Sequence, residues 1–148
     1  MISQRARYAF KALIVLARAG GAGMQIRDIA EKERIPRKFL EQILLSLKAG
    51  GLITSRRGRE GGYTLLKDAE TISLGSVLRM IDGPIAPLPC LSIIAYARCE
   101  DCKDEHTCEI RKVFARVIEP TRLVLERTTI ADAAAGRAID LESLPQMA

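Results

Sequence analysis

Tryptophan is absent from this 148-residue sequence, histidine occurs once, and aromatic residues make up 4% of the chain. No apolar run approaches the ~20 residues that a membrane-spanning helix needs, and the charged N-terminus does not provide the apolar stretch of a secretion signal. The sequence also has no glycine-rich nucleotide loop after a strand and no nucleophile elbow. We therefore expect a cytoplasmic protein that does not associate with membranes and is not an enzyme.

Charge is unevenly distributed along the chain. Residues 1–88 contain 15 basic and 8 acidic residues, a balance of +7, whereas residues 89–148 contain 8 basic and 10 acidic residues, a balance of −2. A basic part joined to a mildly acidic part indicates a module that binds a polyanion. Charge alone is equally compatible with a solubilising surface.

Hydrophobic periodicity predicts a helical first half. Residues 3–19 have an apolar stripe at steps of three and four, with Ser3 placed to cap the helix. The members of this stripe are Ala6, Ala9, Phe10, Leu13, Ile14 and Ala17. Two further helices are predicted, near 25–33 and from Pro36 to a stop at Gly50-Gly51. The apolar positions of the last of these are Leu40, Ile43, Leu44 and Leu47. A short helix, a tight turn and a second helix form the outline of a helix-turn-helix.

After the helix-turn-helix, the residue pattern changes from that of a helix to that of β-strands, which predicts a β-hairpin. Residues 52–55 and 63–66 are short runs of strand-forming residues, and the segment between them is rich in glycine and arginine. A hairpin directly after a helix-turn-helix is a winged helix. The predicted fold class is thus mainly α with a small β-hairpin wing.

The second half is predicted to contain a linker, a cysteine segment and a long helix. Residues 73–82 have the pattern of a short helix. The apolar stripe that begins near 109 needs a partner, which we expect to be its copy in a second subunit. Pro120 is expected to kink or restart the long helix, and Thr129 with Asp132 to cap a final one. The expected organisation is 1–83 winged helix-turn-helix, 84–108 cysteine loop, 109–135 dimerisation helix and short final helix, and 136–148 flexible tail.

Candidate DNA contacts lie on the second helix of the helix-turn-helix and on the wing. A recognition helix presents donors and acceptors to base edges in its first turns, and the wing tip offers arginines to phosphates or a narrow minor groove. The alternative is a solvated helix face beside an ordinary charged hairpin, but the combination with the basic half favours DNA. The candidates are Arg37, Lys38, Glu41, Gln42, Arg56, Arg57 and Arg59.

All four cysteines lie within 19 residues, with the spacing Cys90-x8-Cys99-x2-Cys102-x5-Cys108. Clustered cysteines in a reducing compartment indicate metal, cluster or redox chemistry rather than disulfides. A structural zinc site usually has two short pairs, so the single short pair here favours an iron–sulfur cluster. Zinc, bare redox thiols, or a thiol-redox enzyme that uses Cys99 and Cys102 remain alternatives. The neighbouring His106 is more simply a solvated loop residue.

Several motifs resemble those of the Rrf-type family of winged-helix transcriptional regulators. The similar stretches are Met1–Ala9, Ile29-Ala30-Glu31, Phe39–Leu44, Arg57–Tyr63 and Ser73–Val77. The resemblance extends from residue 1 to about 134. It implies a homodimeric regulator or repressor that binds a DNA operator and has a sensory loop before its dimerisation helix.

The resemblance also implies roles for individual residues. By motif position, Glu41 and Gln42 belong to the recognition helix, and Arg57 with Gly58 to the part of the wing near the minor groove. In cluster-binding members three loop cysteines hold a 2Fe–2S or 4Fe–4S cluster. Here Cys90 and Cys108 match the first and last, and Cys102 fits the middle position better than Cys99.

Two departures affect the implied fourth cluster ligand. Arg111 stands where IscR-like members have histidine, and Tyr8 stands near where NsrR-like members use an acidic residue. Cys99 would instead complete an all-cysteine set. CymR-like members bind no cluster and respond to cysteine metabolism through a partner enzyme or thiol oxidation, so a cofactor-free or zinc-binding regulator stays open.

Overall fold

The computed structural model describes residues 2–137, so most of the predicted tail, from residue 138 onward, lies outside the described residues. Within that range the structure is mainly helical with one antiparallel hairpin, which confirms the expected fold class. Short 3-10 turns at Ala69–Thr71 and Pro89–Leu91 were not expected from the sequence. The elements are α1 Gln4–Arg18, α2 Ile26–Glu33, α3 Arg37–Ala49, β1 Ile53–Arg56, β2 Gly62–Leu65, α4 Leu74–Asp82, α5 Glu109–Arg127 and α6 Ile130–Ala135.

The main core forms around α1, which contacts α2, α3, α4, α6 and β2. Because α1 is surrounded, it buries more than the single face that its sequence pattern indicated. Ala12, Val15 and Leu16 are buried although the predicted stripe omitted them, whereas Phe10 and Ile14 of that stripe are only partly buried.

The predicted caps are present and connect distant elements. The hydroxyl of Ser3 accepts a hydrogen bond from the backbone N–H of Ala6 at 3.0 Å, and the backbone N–H of Ser3 donates to Asp82 Oδ2 at 2.9 Å. Asp82 is the last residue of α4, so the start of α1 is fixed against the end of α4. Thr129 and Asp132 form the expected capping box at the start of α6.

Helix α5 runs from Glu109 to Arg127 as one element. Of the two alternatives expected at Pro120, a restart of the helix is therefore wrong, and a kink stays a prediction. A proline inside a helix removes one backbone hydrogen bond, and the helix continues on both sides of that loss. The Thr121 hydroxyl donates to the Val117 carbonyl at 2.8 Å, which adds a hydrogen bond in the turn around the proline.

The segment between α4 and α5 packs against α5 through a second, small apolar cluster. Cys90, Leu91 and Ile118 are its buried members, with Ile85 and Ala86 partly buried beside them. This packing holds the first cysteine against the middle of α5. Among the helices of residues 2–137, none is both long enough and apolar enough to cross a membrane.

Candidate nucleic-acid interface and cysteine cavity

A tight turn between α2 and α3 sets the position of the candidate recognition helix. Arg34 ends α2 in the left-handed conformation, with φ 53° and ψ 49°. The backbone N–H of Ile35 donates to the Ala30 carbonyl at 2.9 Å, and the Ile35 side chain is buried. The chain therefore reverses within three residues, and Pro36 leads directly into α3.

Helix α3 separates its residues into an apolar face and a polar face. Leu40, Ile43, Leu44 and Leu47 are fully buried, as the sequence predicted. All four α3 residues proposed to contact DNA are exposed on the other side. Arg37 Nε lies 3.5 Å from Glu41 Oε1, one turn further along. The side chains of Arg37, Lys38, Glu41 and Gln42 thus share one solvent-facing surface at the start of the helix.

The wing is an antiparallel hairpin in which β1 and β2 form four residue pairs. The predicted arginines lie at and next to its tip. Ile53 pairs with Leu65, and Arg56 pairs with Gly62. Arg56, Arg57, Gly58 and Arg59 are all exposed. Gly58 adopts φ +108°, and an added Cβ there would meet open space. Glycine is therefore favoured at position 58 by the positive φ, and not by a lack of space for a side chain.

The wing is fixed near its tip to the loop that precedes α2, a contact that sequence reasoning missed. Met24 and Tyr63 exchange two backbone hydrogen bonds of 3.0 and 2.8 Å. Gly62 has φ +116°, and an added Cβ would lie 2.5 Å from the Met24 carbonyl oxygen. A Cβ on Gly61 would lie 2.3 Å from the Arg56 carbonyl oxygen. The glycine pair at 61 and 62 was the available signal, because both residues are buried where a Cβ would lie too close to neighbouring backbone.

The four cysteines line one cavity of about 270 Å³ at the start of α5. Cys90 is buried in its 3-10 turn, and the other three are half-buried. Cys108 caps α5, with its Sγ accepting from the backbone N–H of Arg111 at 3.5 Å. Cys99 and Cys102 lie in the same turn, because the Cys102 N–H donates to the Cys99 carbonyl at 3.1 Å.

Burial raises the pKa of the Cys99 thiol, and the charges of Cys90, Asp101 and Cys102 raise it further. Other polar groups of the loop are engaged in holding its shape. The His106 backbone N–H donates to Asp104 Oδ1 at 3.1 Å, and this bond lowers the pKa of Asp104. Asp104 thus takes part in the hydrogen bonding of the loop itself, and the interpretation of His106 as a solvated loop residue stays a prediction.

Arg111 also faces the cysteine cavity, and its Nε is buried without a hydrogen-bond partner among the described residues. The nearest carboxylate oxygen in its ion pair, Glu105 Oε2, lies 3.8 Å away. Four cysteine side chains are donors of the type that binds soft metals, and the unsatisfied cationic N–H would favour a bound group with negative charge. Across residues 2–137, however, no three His, Cys, Asp or Glu side chains are grouped closely enough to hold a metal ion.

Two arginine contacts connect the cysteine segment, α5 and α4, and no sequence pattern indicated them. Arg122 donates through Nε and Nη2 to the Ile85 carbonyl at 3.3 and 3.2 Å, and through Nη2 to the Leu91 carbonyl. Near the end of α5, Glu126 pairs with Arg79 of α4. The hydrogen bond from Arg79 lowers the pKa of Glu126 and raises the pKa of Arg79.

Comparison with known proteins identifies the family. The model of the Rrf2 family, described as iron-dependent transcriptional regulator, matches residues 2–136. A Rhodobacter capsulatus protein named as an rrf2-like HTH-type transcriptional regulator is 47% identical over 136 residues, covering 89% of this chain and 91% of that protein. The HTH-type transcriptional regulator IscR of Escherichia coli is 36% identical over 90 residues, covering 60% of this chain and 56% of IscR.

The fold agrees with the sequence comparison. The crystal structure of CymR, the global cysteine regulator of B. subtilis, superposes with a TM-score of 0.77 at 29% identity, covering 92% of this chain and 97% of that one. These similarities bear out the resemblance found in the sequence and the assignment to a class other than enzymes. The chain belongs to the Rrf2 family of DNA-binding transcriptional regulators.

Proposed function

We propose that this protein acts as a homodimer whose affinity for a DNA operator is set by an iron–sulfur cluster held by Cys90, Cys99, Cys102 and Cys108. One observation carries the proposal. All four thiols line a single cavity at the N-terminus of α5, and α5 is the helix that packs on the DNA-binding half through α4. The description of the family as iron-dependent supports the same cofactor.

The DNA-contacting part of the proposal rests on α3 and the wing. Lys38 and Arg37 offer donors for phosphate or guanine, Gln42 suits adenine, and Glu41 accepts from a cytosine amine. The exposed Arg57 extends from the wing toward the adjacent minor groove, a common use of arginine at narrow grooves. Arg56, Gly58 and Arg59 complete the wing surface that would follow the backbone.

The homodimer is supported by an apolar stripe on α5. Ile110, Val113, Phe114 and Val117 recur at helical spacing, and their side chains are 40–61% exposed. A contiguous exposed stripe of this kind marks a protein contact surface. We assign it to the same stripe of a second copy, because a two-fold dimer places two winged helices on the two halves of a palindromic operator.

The cavity suits the proposed group in donor type, because four cysteines line it. Cys90 and Cys108 are fixed by the 3-10 turn and by the start of α5, whereas Cys99 and Cys102 lie on the loop between them. When bound, the cluster supplies one-electron redox chemistry and sensitivity to oxidants. The Arg111 guanidinium would place positive charge beside the thiolates, and the loop would need to draw the sulfur atoms closer together.

A change in cluster occupancy or thiol oxidation in the cavity would be transmitted to the winged helix through the contacts between the cysteine segment, α5 and α4. Leu91, next to Cys90, is bonded to Arg122 in the middle of α5. One turn later, Glu126 bonds to Arg79 and to the hydroxyl of Ser73, at the start of α4. A shift of the cysteine segment would thus change the packing of α5 on α4. In the dimer, this change would alter the distance between the two recognition helices.

A cluster-free regulator is the second candidate. It is favoured by the separation of the sulfur atoms, because no metal-holding group of three is formed among residues 2–137. The structural similarity to CymR, a cysteine regulator by its title, supports control by cysteine supply. In that case the thiols would bind zinc or act through oxidation, and a partner enzyme of cysteine metabolism would report the signal.

Anaerobic purification followed by visible absorption and by iron, sulfide and zinc analysis of the same sample tests the proposal. We expect iron and acid-labile sulfide in comparable amounts, and tighter or weaker operator binding after their removal. A variant with all four cysteines replaced by serine should bind DNA with one affinity under every redox condition. The proposal fails if the native protein already behaves like that variant, and stoichiometric zinc without iron would favour the second candidate.

A further inference from the structure

Leu45 lies on the exposed face of α3, outside the apolar positions that the sequence pattern identified on this helix. Its side chain is 58% exposed, and it belongs to neither of the apolar clusters of residues 2–137. At 3.6 residues per turn, Leu45 lies within about 20° of Lys38 around the helix axis and opposite the buried face. It therefore projects from the same side of α3 as Lys38, Glu41 and Gln42, about one turn further toward the end of the helix.

A single exposed leucine is ordinary on most protein surfaces, but this one continues the row of candidate base-reading residues along the exposed side of α3. A leucine side chain cannot donate or accept a hydrogen bond. In the major groove the base edges present hydrogen-bonding groups at every pair and only one apolar group, the C5-methyl of thymine. A leucine that enters the groove is thus complementary to thymine and to no other unmodified base.

We infer that Leu45 is a specificity-determining residue that reads a thymine in each half-site through contact with the C5-methyl group. This inference rests on the proposed insertion of α3 into the major groove. Leu45 follows Lys38 by seven residues, about 10 Å along the helix. The thymine would therefore lie within about three base pairs of the position that Lys38 contacts, since base pairs repeat every ~3.4 Å.

Replacement of thymine by deoxyuridine tests the contact, because uracil differs only by the missing methyl group. The operator is first defined by selection from random duplexes, and each thymine is then replaced in turn. Burial of one methyl group is worth about 0.8 kcal/mol, so the native protein should bind about fourfold more weakly per half-site at one symmetric position.

Leu45→Ala should bind the thymine operator more weakly by a similar factor and should lose the discrimination between thymine and uracil at that position. Leu66→Ala is the matched control, because Leu66 is 61% exposed and lies outside α3. It should keep both the affinity and the discrimination. Circular dichroism of each variant verifies the fold.

Variants of neighbouring α3 residues distinguish failure of the proposed DNA interface from failure of the proposed role of Leu45. If Gln42→Ala and Lys38→Ala also leave operator binding unchanged, α3 does not enter the groove, and the proposed DNA interface fails together with the role of Leu45. If those variants weaken binding while Leu45→Ala retains the full sensitivity to uracil, the interface stands and the inference about Leu45 is overturned.

Discussion

The guanidinium group of Arg122 donates a hydrogen bond to the backbone carbonyl of Leu91, the residue that follows Cys90. The same group donates to the Ile85 carbonyl at 3.2 and 3.3 Å. One side chain of α5 thus holds both ends of the segment that carries the first cysteine. Arg122 lies more than three helical turns beyond the Cys108 cap, so it connects the cysteine segment to a distant part of α5.

Replacement of Arg122 by alanine is expected to uncouple the cysteine loop from DNA binding. Coupling between two sites is typically worth about 1–3 kcal/mol, and we expect most of it to be lost because the connection to Leu91 is removed. The measurement is the ratio of operator affinities of the iron-loaded and chelator-stripped proteins under anaerobic conditions. Arg116→Ala, an exposed change on the same helix, should keep the native ratio, and an unchanged ratio in the Arg122 variant would refute the connection.

The Arg79–Glu126 pair is expected to stabilise the protein at neutral pH and not in acid. Arg79 lowers the pKa of Glu126 in the folded state, so the stabilisation is complete above the unfolded carboxyl pKa of about 4.3. It is lost as the pH falls through the lower folded value. Because the Glu126 side chain is 40% exposed, the contribution is only about 0.5–1 kcal/mol.

Urea denaturation of Glu126→Gln at pH 7 and near pH 3.5 measures this effect. The variant should be less stable than the native protein at pH 7, and the difference should shrink in acid. Glu119→Gln, an exposed change on the same helix, serves as the control. An equal penalty at both pH values would show that the carboxylate charge does not contribute.

Arg57→Ala is expected to weaken operator binding by about 1–3 kcal/mol if the wing makes a specific contact. The loss of one charged contact should also reduce the slope of affinity against salt concentration by about one. Lys67→Ala removes an equal charge from an exposed position beyond β2 and should change both quantities less. Equal effects of the two variants would exclude a specific role for Arg57.

Alanine at Gly62 is expected to damage the wing far more than alanine at Gly58. Both residues have positive φ, which costs a non-glycine residue about 1–3 kcal/mol. At Gly62 the new Cβ would also lie 2.5 Å from the Met24 carbonyl oxygen, whereas Gly58 has open space. Because both variants carry the backbone strain, the difference between their unfolding free energies reports the close contact at Gly62. The Gly62 variant should be the less stable of the two, and similar unfolding free energies would contradict the described packing.

Aspartate at Val117 is expected to convert the protein to a monomer. The side chain is 57% exposed in the single chain, and a charge there would have to be desolvated in the proposed dimer. Light scattering coupled to size exclusion measures the mass in solution. Glu119→Lys changes the charge on the opposite side of α5 and should leave the dimer intact. A Val117 variant of unchanged mass would move the dimer contact elsewhere.

The elements that the sequence predicted well are those defined by local signals. The buried side of α3 follows from the spacing of Leu40, Ile43, Leu44 and Leu47, and the cap of α6 from Thr129 and Asp132. The contacts of Arg122 and the Met24–Tyr63 pairing could not be predicted, because they join segments more than 30 residues apart and have no periodicity. The cysteine spacing indicated a shared site, but the number of ligands depends on loop conformation and stays a prediction.

The pairing of Met24 with Tyr63 has a consequence for the way an operator is read. Since the wing is bonded to the loop before α2, each protomer should grip its half-site as one rigid body. A signal from the cysteine loop would then change the rotation of one DNA-binding unit relative to the other, and it would leave the contacts of each unit with its half-site unchanged. Inserting one base pair between the half-sites rotates them by about one-tenth of a turn, so operator spacing would select which regulatory state binds.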